Sequence, residues 1–150
     1  MNLYPPLLFN RVRIRKVSHD FMEVDVRVYK SLLNRNLNRS IFGGSIFSAA
    51  DPIHSMMYWK ALRKRNVKCI VWLKSAYIRY RKPARTSLDY HFHLSEEDLH
   101  KAISGLRQDG RYEIEHYVNA IDQTGDVCAE VRACVHIRIV QKEEESLGAF

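Results

Sequence analysis

The most constraining feature of the chain is a long apolar segment, residues 42–62, near its middle. The segment opens with the pair Gly43-Gly44, and between residues 45 and 59 it carries one formal charge, Asp51, and one histidine, His54. A surface helix would show a polar face, so this composition predicts a helix that protein covers on most sides. A carboxylate inside such a helix is costly unless it is paired, hydrogen-bonded or functional. Asp51 is therefore the residue that needs an explanation.

Pro52 leaves the start of this helix open. A proline inside a helix lacks an N–H and clashes with the carbonyl four residues earlier, here that of Ser48. The helix either begins near Gly44 and kinks at Pro52, or begins at Asp51 as N-cap with Pro52 in the first helical position. The second alternative would leave residues 45–50 as an apolar loop without an evident purpose.

Alternation of apolar and polar side chains predicts six strands around this helix. They fall at residues 11–18, 21–28, 67–82, 86–94, 111–121 and 127–140. The last strand alternates most regularly, and Ala129 and Ala133 on its apolar face leave room for a bulky neighbour, which we expect to be the central helix. Turns join most strands, so the sheet should be largely antiparallel.

The remaining segments complete the predicted architecture. Residues 31–40 are polar and read as a loop, and a short helix is predicted from Ser95 to about Leu106, with acidic residues in its first turn. We expect one α+β domain over residues 1–150, in which a curved antiparallel sheet of five to six strands wraps around one long helix. Residues 1–10 and 141–150 are expected to be peripheral.

Composition excludes several classes of protein. The 46% hydrophobic and 27% charged residues are ordinary for a globular domain. The three cysteines, Cys69, Cys128 and Cys134, are odd in number and show no CxxC spacing, so neither a disulfide scaffold nor a zinc site is predicted. Polar residues interrupt every apolar run of membrane-spanning length, and the N-terminus lacks the pattern of a signal peptide. These features favour a cytoplasmic protein.

The net charge of +7 suggests an anionic partner. Nucleic acid and the phosphates of a nucleotide-containing small molecule would both satisfy this requirement. Charge alone does not separate the two.

Three stretches resemble a known family. They are the run Gly-Gly-Ser-Ile-Phe-Ser-Ala-Ala-Asp at residues 43–51, the run Ile-Arg-Tyr-Arg-Lys-Pro-Ala-Arg at residues 78–85, and the closing hairpin at residues 112–131. In this order and spacing they resemble the hotdog fold. They are most similar to the small acyl-CoA thioesterases of the phenylacetic-acid-degradation type and their uncharacterised relatives.

The resemblance implies a site for thioester hydrolysis at a subunit interface. Asp51 would be the general base or nucleophile, and the backbone N–H groups of Gly43 and Gly44 would form the oxyanion site. Asn36 would orient water or substrate, although a loop residue that only forms a turn is an equal alternative. Phe42 departs from the family, which commonly has His before the glycine pair. A non-catalytic acyl-binding protein is therefore the competing hypothesis.

The resemblance also implies a partner. An acyl-CoA would be the substrate, with no separate cofactor, nucleic acid or membrane, and the protein would form a homodimer or a dimer of dimers. Four basic residues suit the phosphates of coenzyme A, unless they form only a solvated strand end: Arg79, Arg81, Lys82 and Arg85. His54 and Ser55 lie one turn beyond Asp51 and could hydrogen-bond it. No metal site is predicted, because the spaced pair His91 and His93 has no completing ligands.

Overall fold

The computed structural model of the chain describes residues 3–140. In this part of the chain the helices are α1 (Pro5–Phe9), α2 (Gly43–Ala50), α3 (Ile53–Lys64) and α4 (Glu96–Asp109), with a short 3-10 helix at Leu32–Asn34. The strands are β1 (Val12–Val17), β2 (Glu23–Val28), β3 (Cys69–Tyr80), β4 (Leu88–His93), β5 (Arg111–Asp122) and β6 (Val127–Ile139).

The six strands form a single sheet in the order β1-β2-β4-β5-β6-β3. Every neighbouring pair is antiparallel, which confirms the predicted curved antiparallel sheet and its α+β class. The observed strand ends differ from the predicted ends by no more than two residues. Among the described residues, β1 and β3 are the two edges, and β3 pairs with β6 alone. An edge of twelve residues is a long exposed row of backbone donors and acceptors.

The central helix begins at Gly43 and is interrupted at Pro52, as the first of the two alternatives predicted. Its last regular bond before the break runs from the N–H of Asp51 to the carbonyl of Phe47, over 3.1 Å. Asp51 and Pro52 both keep right-handed helical backbone angles, so α3 continues the course of α2 after a kink. Asp51 is therefore not the N-cap of α3, because Pro52 takes that position.

One face of the kinked helix forms the centre of the core. The buried residues recur every three or four positions, as Ile46, Ala49, Ile53, Met57 and Ala61 do. This face lies against β2, β3 and β6. The small side chains of β6 are buried beside it as predicted, with Ala129 at 0% exposure and Ala133 at 2%.

The opposite face of the helix is less covered. Phe47, Ser48, Met56 and Trp59 are only half-buried, and Asp51 is exposed. The predicted cover on most sides is therefore complete toward the sheet and partial on this face in one copy of the chain. Apolar side chains remain at the surface of this face, where they are available to a further contact.

Local interactions explain where the peripheral helices begin, end and dock. Ser95 caps α4 by accepting from the N–H of Asp98, whose carboxylate accepts in turn from the N–H of Ser95. This helix is longer than predicted: it ends at Asp109, and Gly110 follows with a φ of 69°. At the other end of the chain, α1 docks through the buried Leu7. Residues 141–150, which were expected to be peripheral, lie outside the described residues.

No helix within residues 3–140 is long and apolar enough to cross a membrane.

Candidate functional site

The start of α2 presents two free backbone donors. Phe42 is the N-cap and gives no side-chain hydrogen bond to the helix. Within the described chain, no acceptor takes the N–H groups of Gly43 and Gly44, whereas the next two amides donate to the carbonyl of Phe42. Amides at a helix N-terminus carry partial positive charge and stabilise anions. This turn can therefore hold a developing oxyanion.

Two aromatic rings lie close against the glycine pair at this turn. The Tyr80 hydroxyl donates to the carbonyl of Gly43 over 2.9 Å, and a Cβ added at Gly43 would lie only 2.9 Å from the same hydroxyl oxygen. The ring of Phe42 lies over Gly44, where an added Cβ would overlap it. Phe42 itself is 56% exposed, so this ring stands at the surface beside the free amides.

A cleft of about 370 Å³ opens beside this turn. Its walls are mostly apolar or aromatic, and four of its residues were predicted as site residues: Asn36, Gly43, Arg81 and Lys82. The other lining residues are Ser40, Ile41, Ile46, Tyr80, Pro83 and Ala84. The cleft therefore joins the glycine turn to the end of β3, as the sequence motifs suggest.

Asn36 lines the cleft but is occupied by its own loop. Its amide donates to the Ser40 hydroxyl over 2.8 Å, and its carbonyl oxygen accepts from the Ser40 N–H over 3.1 Å. These bonds are those of a turn-forming residue, which was one of the two alternatives. An orienting role for Asn36 remains a prediction.

Asn34 is a structural residue that the sequence analysis missed. It is 3% exposed, and its amide donates to the carbonyls of Asn10 and Tyr29 over 3.1 and 2.9 Å. The backbone carbonyl of Asn34 accepts from the N–H of Phe42 over 2.7 Å, which fixes the residue before the glycine pair. The run Ser-Leu-Leu-Asn at residues 31–34 is the sequence signal for this structural role, because Ser31 and Asn34 form a capping box in the 3-10 helix.

Asp51 lies at the kink, away from the glycine turn. Eight residues separate it from Gly43, which corresponds to about 12 Å along a helix axis. Its side chain is exposed, and it forms no hydrogen bond or ion pair with any described residue. Partial burial raises its pKa above the ordinary 3.8. Asp51 is thus an unpaired carboxylate with an increased proton affinity, as a general base requires.

The four predicted phosphate-binding residues do not form one group. Arg81 donates to Glu130 over 3.0 Å, and Lys82 pairs with Asp126 and lies 3.5 Å from Asp122. Because side chains alternate along a strand, Arg79 and Tyr80 lie on different faces of the sheet. On its own face Arg79 lines a separate cleft, together with Tyr77, Tyr117 and Arg132. Arg85 is exposed and has no carboxylate partner within residues 3–140.

His54 belongs to the core and makes no hydrogen bond to Asp51. It is 2% exposed, stacks on His116 with ring centroids 4.5 Å apart, and meets the edge of Phe92 at 5.0 Å. Tyr58 hydrogen-bonds Nε2 of His116 over 2.9 Å. Nδ1 of His54 and the hydroxyl of Ser55 have no described partner. Burial, and then the neighbouring His116, lowers the pKa of His54 to about 3.

This histidine should make the protein less stable in mild acid. Because the pKa of His54 falls from 6.5 to about 3 on folding, the unfolded chain binds more protons between these values. Its contribution is therefore complete above pH 6.5 and is lost as the pH decreases, by up to about 1.4 kcal/mol per pH unit. Chemical denaturation of His54→Phe should give a flatter pH dependence from pH 6.5 to 4 than wild type. His100→Gln, at an exposed position of α4, should match wild type, and equal slopes for all three proteins would contradict this role.

No group of three or more His, Cys, Asp or Glu side chains with metal-site geometry occurs within residues 3–140. His91, one of the spaced histidines, lies 2.7 Å from Asp25 through Nδ1.

Several solved structures share this fold. A Pseudomonas aeruginosa protein of unknown function, described as a probable thioesterase, is 19% identical, with a TM-score of 0.75 over 86% of this chain and 83% of its own. A Haemophilus influenzae thioesterase is 9% identical, with a TM-score of 0.69 over 94% and 88%. The E. coli PaaI protein from the phenylacetic acid degradation operon is 15% identical, with a TM-score of 0.59 over 86% and 80%.

These similarities confirm the hotdog fold predicted from the sequence. No curated protein matches the chain. The model of one family, described as a domain of unknown function (DUF4442), matches residues 1–137. The chain is thus a hotdog-fold protein and belongs to the DUF4442 family.

Proposed function

We propose that this protein hydrolyses an acyl-CoA thioester in a site shared by two copies of the chain. Asp51 of one copy acts as general base or nucleophile, and the N–H groups of Gly43 and Gly44 of the other copy hold the oxyanion. The observation that carries this proposal is an unpaired carboxylate about 12 Å, along one helix, from two free amides. Thioesterases among the structures of the same fold support the reaction class.

The distance between Asp51 and the glycine amides argues for a site that two copies of the chain share. A base that activates the attacking water and a donor to the carbonyl oxygen must both lie about 3 Å from the atoms that they serve. Groups about 12 Å apart on one rigid helix do not meet around one carbonyl. An antiparallel arrangement of two copies can bring Asp51 of each near the glycine turn of the other.

The chain has surfaces suited to such a dimer. The free edge of β3 can extend the sheet into a second copy by antiparallel pairing. The half-buried apolar side chains on the outer face of α2 and α3, including Phe47 and Trp59, would then gain cover. Burial at this interface would raise the pKa of Asp51 further in the same direction.

Hydrolysis of the thioester at this site needs no reactant other than water. Asp51 takes a proton from water, and the water oxygen bonds to the thioester carbon. Negative charge that develops on the carbonyl oxygen is stabilised by the amides of Gly43 and Gly44. The carbon–sulfur bond then breaks, the leaving thiolate takes up the proton, and the products are a carboxylic acid and free coenzyme A. If Asp51 attacks directly, water hydrolyses the resulting anhydride to the same products.

Phe42 favours one alternative, a protein that binds acyl-CoA without hydrolysing it. The family's usual histidine could donate a hydrogen bond beside the glycine pair, and Phe42 cannot. Its ring instead covers one side of Gly44. Under this alternative, the same cleft binds the acyl group and no thiol is released.

A thiol-release assay separates the two functions. Wild type and Asp51→Ala are tested against a panel of aliphatic and aromatic CoA thioesters, and thermal stabilisation by the same compounds is measured in parallel. We expect wild type to release thiol from at least one compound and Asp51→Ala to release none above background. Stabilisation of both proteins without thiol release from any compound would instead support the binding protein.

A further inference from the structure

Three exposed cations near the glycine turn have no acidic partner. Lys30, Arg35 and Arg85 form no ion pair with any carboxylate of residues 3–140. Arg81 and Lys82, which the sequence motif favoured, are already neutralised by acidic side chains. The cluster proposed here therefore shares Arg85 with the motif and adds two residues from outside it, Lys30 and Arg35.

Backbone contacts bring these three residues to one place. The Lys30 ammonium donates to the backbone carbonyl of Arg85 over 2.7 Å, so it lies against the backbone from which the Arg85 side chain extends. Arg35 pairs with Ile41 in an antiparallel bridge, and the N–H of Ile41 donates to the carbonyl of Ala84 over 2.9 Å. Two such spacings correspond to about 10 Å between the backbones at Arg35 and Ala84, within reach of long side chains.

This cluster stands at the rim of the cleft. Ile41 and Ala84, the backbone links between the cations, also line the cleft beside Gly43. Gly43, at the positive end of α2, lines the same cleft and adds to its positive potential. When a ligand occupies the cleft and extends beyond its rim, an anionic group on the extended part would contact Lys30, Arg35 and Arg85.

We propose that Lys30, Arg35 and Arg85 form a binding site for the phosphate groups of the thioester substrate. The inference rests on the proposed function, because a CoA thioester carries its phosphates at the far end of a long arm from the reacting carbonyl. Such a ligand needs cations at the rim of the cleft and apolar walls inside it. Guanidinium groups bind phosphate through paired N–H donors, and lysine adds a point charge.

The test measures binding without turnover. Calorimetric titration with coenzyme A and with adenosine 3′,5′-bisphosphate is performed on wild type, Lys30→Gln, Arg35→Gln and Arg85→Gln. Each variant should bind both probes at least about tenfold more weakly, because it loses a charge-assisted hydrogen bond to phosphate. Lys30→Arg keeps the positive charge and should bind as wild type does. Added salt should weaken wild-type binding.

Arg107→Gln is the matched control, an exposed arginine in the last turn of α4, which does not line the cleft, and should bind as wild type does. Unchanged affinity in Lys30→Gln and Arg85→Gln, or no binding of either probe by wild type, would overturn the proposal. Loss of affinity in Arg107→Gln alone would overturn it as well. Because no hydrolysis is measured, failure of this site is distinguishable from failure of the thioesterase assay.

Discussion

Replacing Asp51 by Asn is expected to lower kcat for acyl-CoA hydrolysis by about 10²–10⁴-fold, the usual contribution of a general base. Asn has nearly the same shape as Asp but cannot accept a proton from water. The melting temperature should stay near that of wild type, because Asp51 is exposed and has no described hydrogen-bond partner to lose. Thiol release under saturating substrate and thermal unfolding are the two measurements.

Asp109→Asn is the matched control for this substitution. Asp109 is also exposed and lies at the end of α4, on an element that does not contribute to the cleft. Its variant should keep wild-type kcat and KM. Wild-type kcat in Asp51→Asn would remove Asp51 from the chemistry. A parallel loss in Asp109→Asn would point to a general effect of charge.

The sequence predicted the architecture well because side-chain alternation reports the sheet faces directly. Residues 127–140 illustrate this, since their alternation fixes both the strand and its buried face. The helix start at Gly43 was also predictable, because the other alternative left an apolar loop unexplained. What decides between the alternatives at Pro52 is packing: the core covers Ile46 and Ala49 before the kink as fully as Ile53 after it.

The sequence could not predict which apolar positions the chain covers by itself. Asp51 seemed buried because its neighbours are apolar, yet one copy leaves that side of the helix open. Local composition indicates only that a side chain is suited to burial, whereas its exposure depends on what packs against it. An apolar face left open is therefore consistent with a further contact at this face.

Long-range ion pairs also lay beyond sequence reasoning. Arg81 and Lys82 were predicted as phosphate ligands beside Pro83, and the fold pairs them with Glu130 and Asp126, more than forty residues away in the sequence. Their role as ligands remains a prediction. Lys30 lies in no recognised motif, and it became a candidate phosphate ligand only because the fold places it against the backbone of Arg85. His54 was similarly ambiguous until His116 and Phe92 were found to surround it.

Removing one oxyanion donor should abolish most activity and leave the fold intact. Gly43→Pro deletes the N–H at the first position of α2, where proline is favoured, and the extended backbone of Phe42 (φ −59°, ψ 134°) suits a following proline. The Tyr80 hydroxyl, at the end of an exposed side chain, shifts slightly to admit the added Cβ. The loss of an oxyanion-hole donor typically costs about 10²–10³-fold in kcat. Thiol release reports this loss, and circular dichroism and the melting temperature confirm that the variant is folded.

Mixing the two inactive variants tests the shared site most directly. When Asp51→Asn and Gly43→Pro are co-expressed in equal amounts and purified together, random pairing makes about half of the dimers mixed, and each mixed dimer has one site with both Asp51 and the Gly43 amide intact. Thiol release should therefore recover to about a quarter of the wild-type rate. A mixture no more active than the two variants measured separately would show that Asp51 and Gly43 do not act across two copies, and would contradict the account.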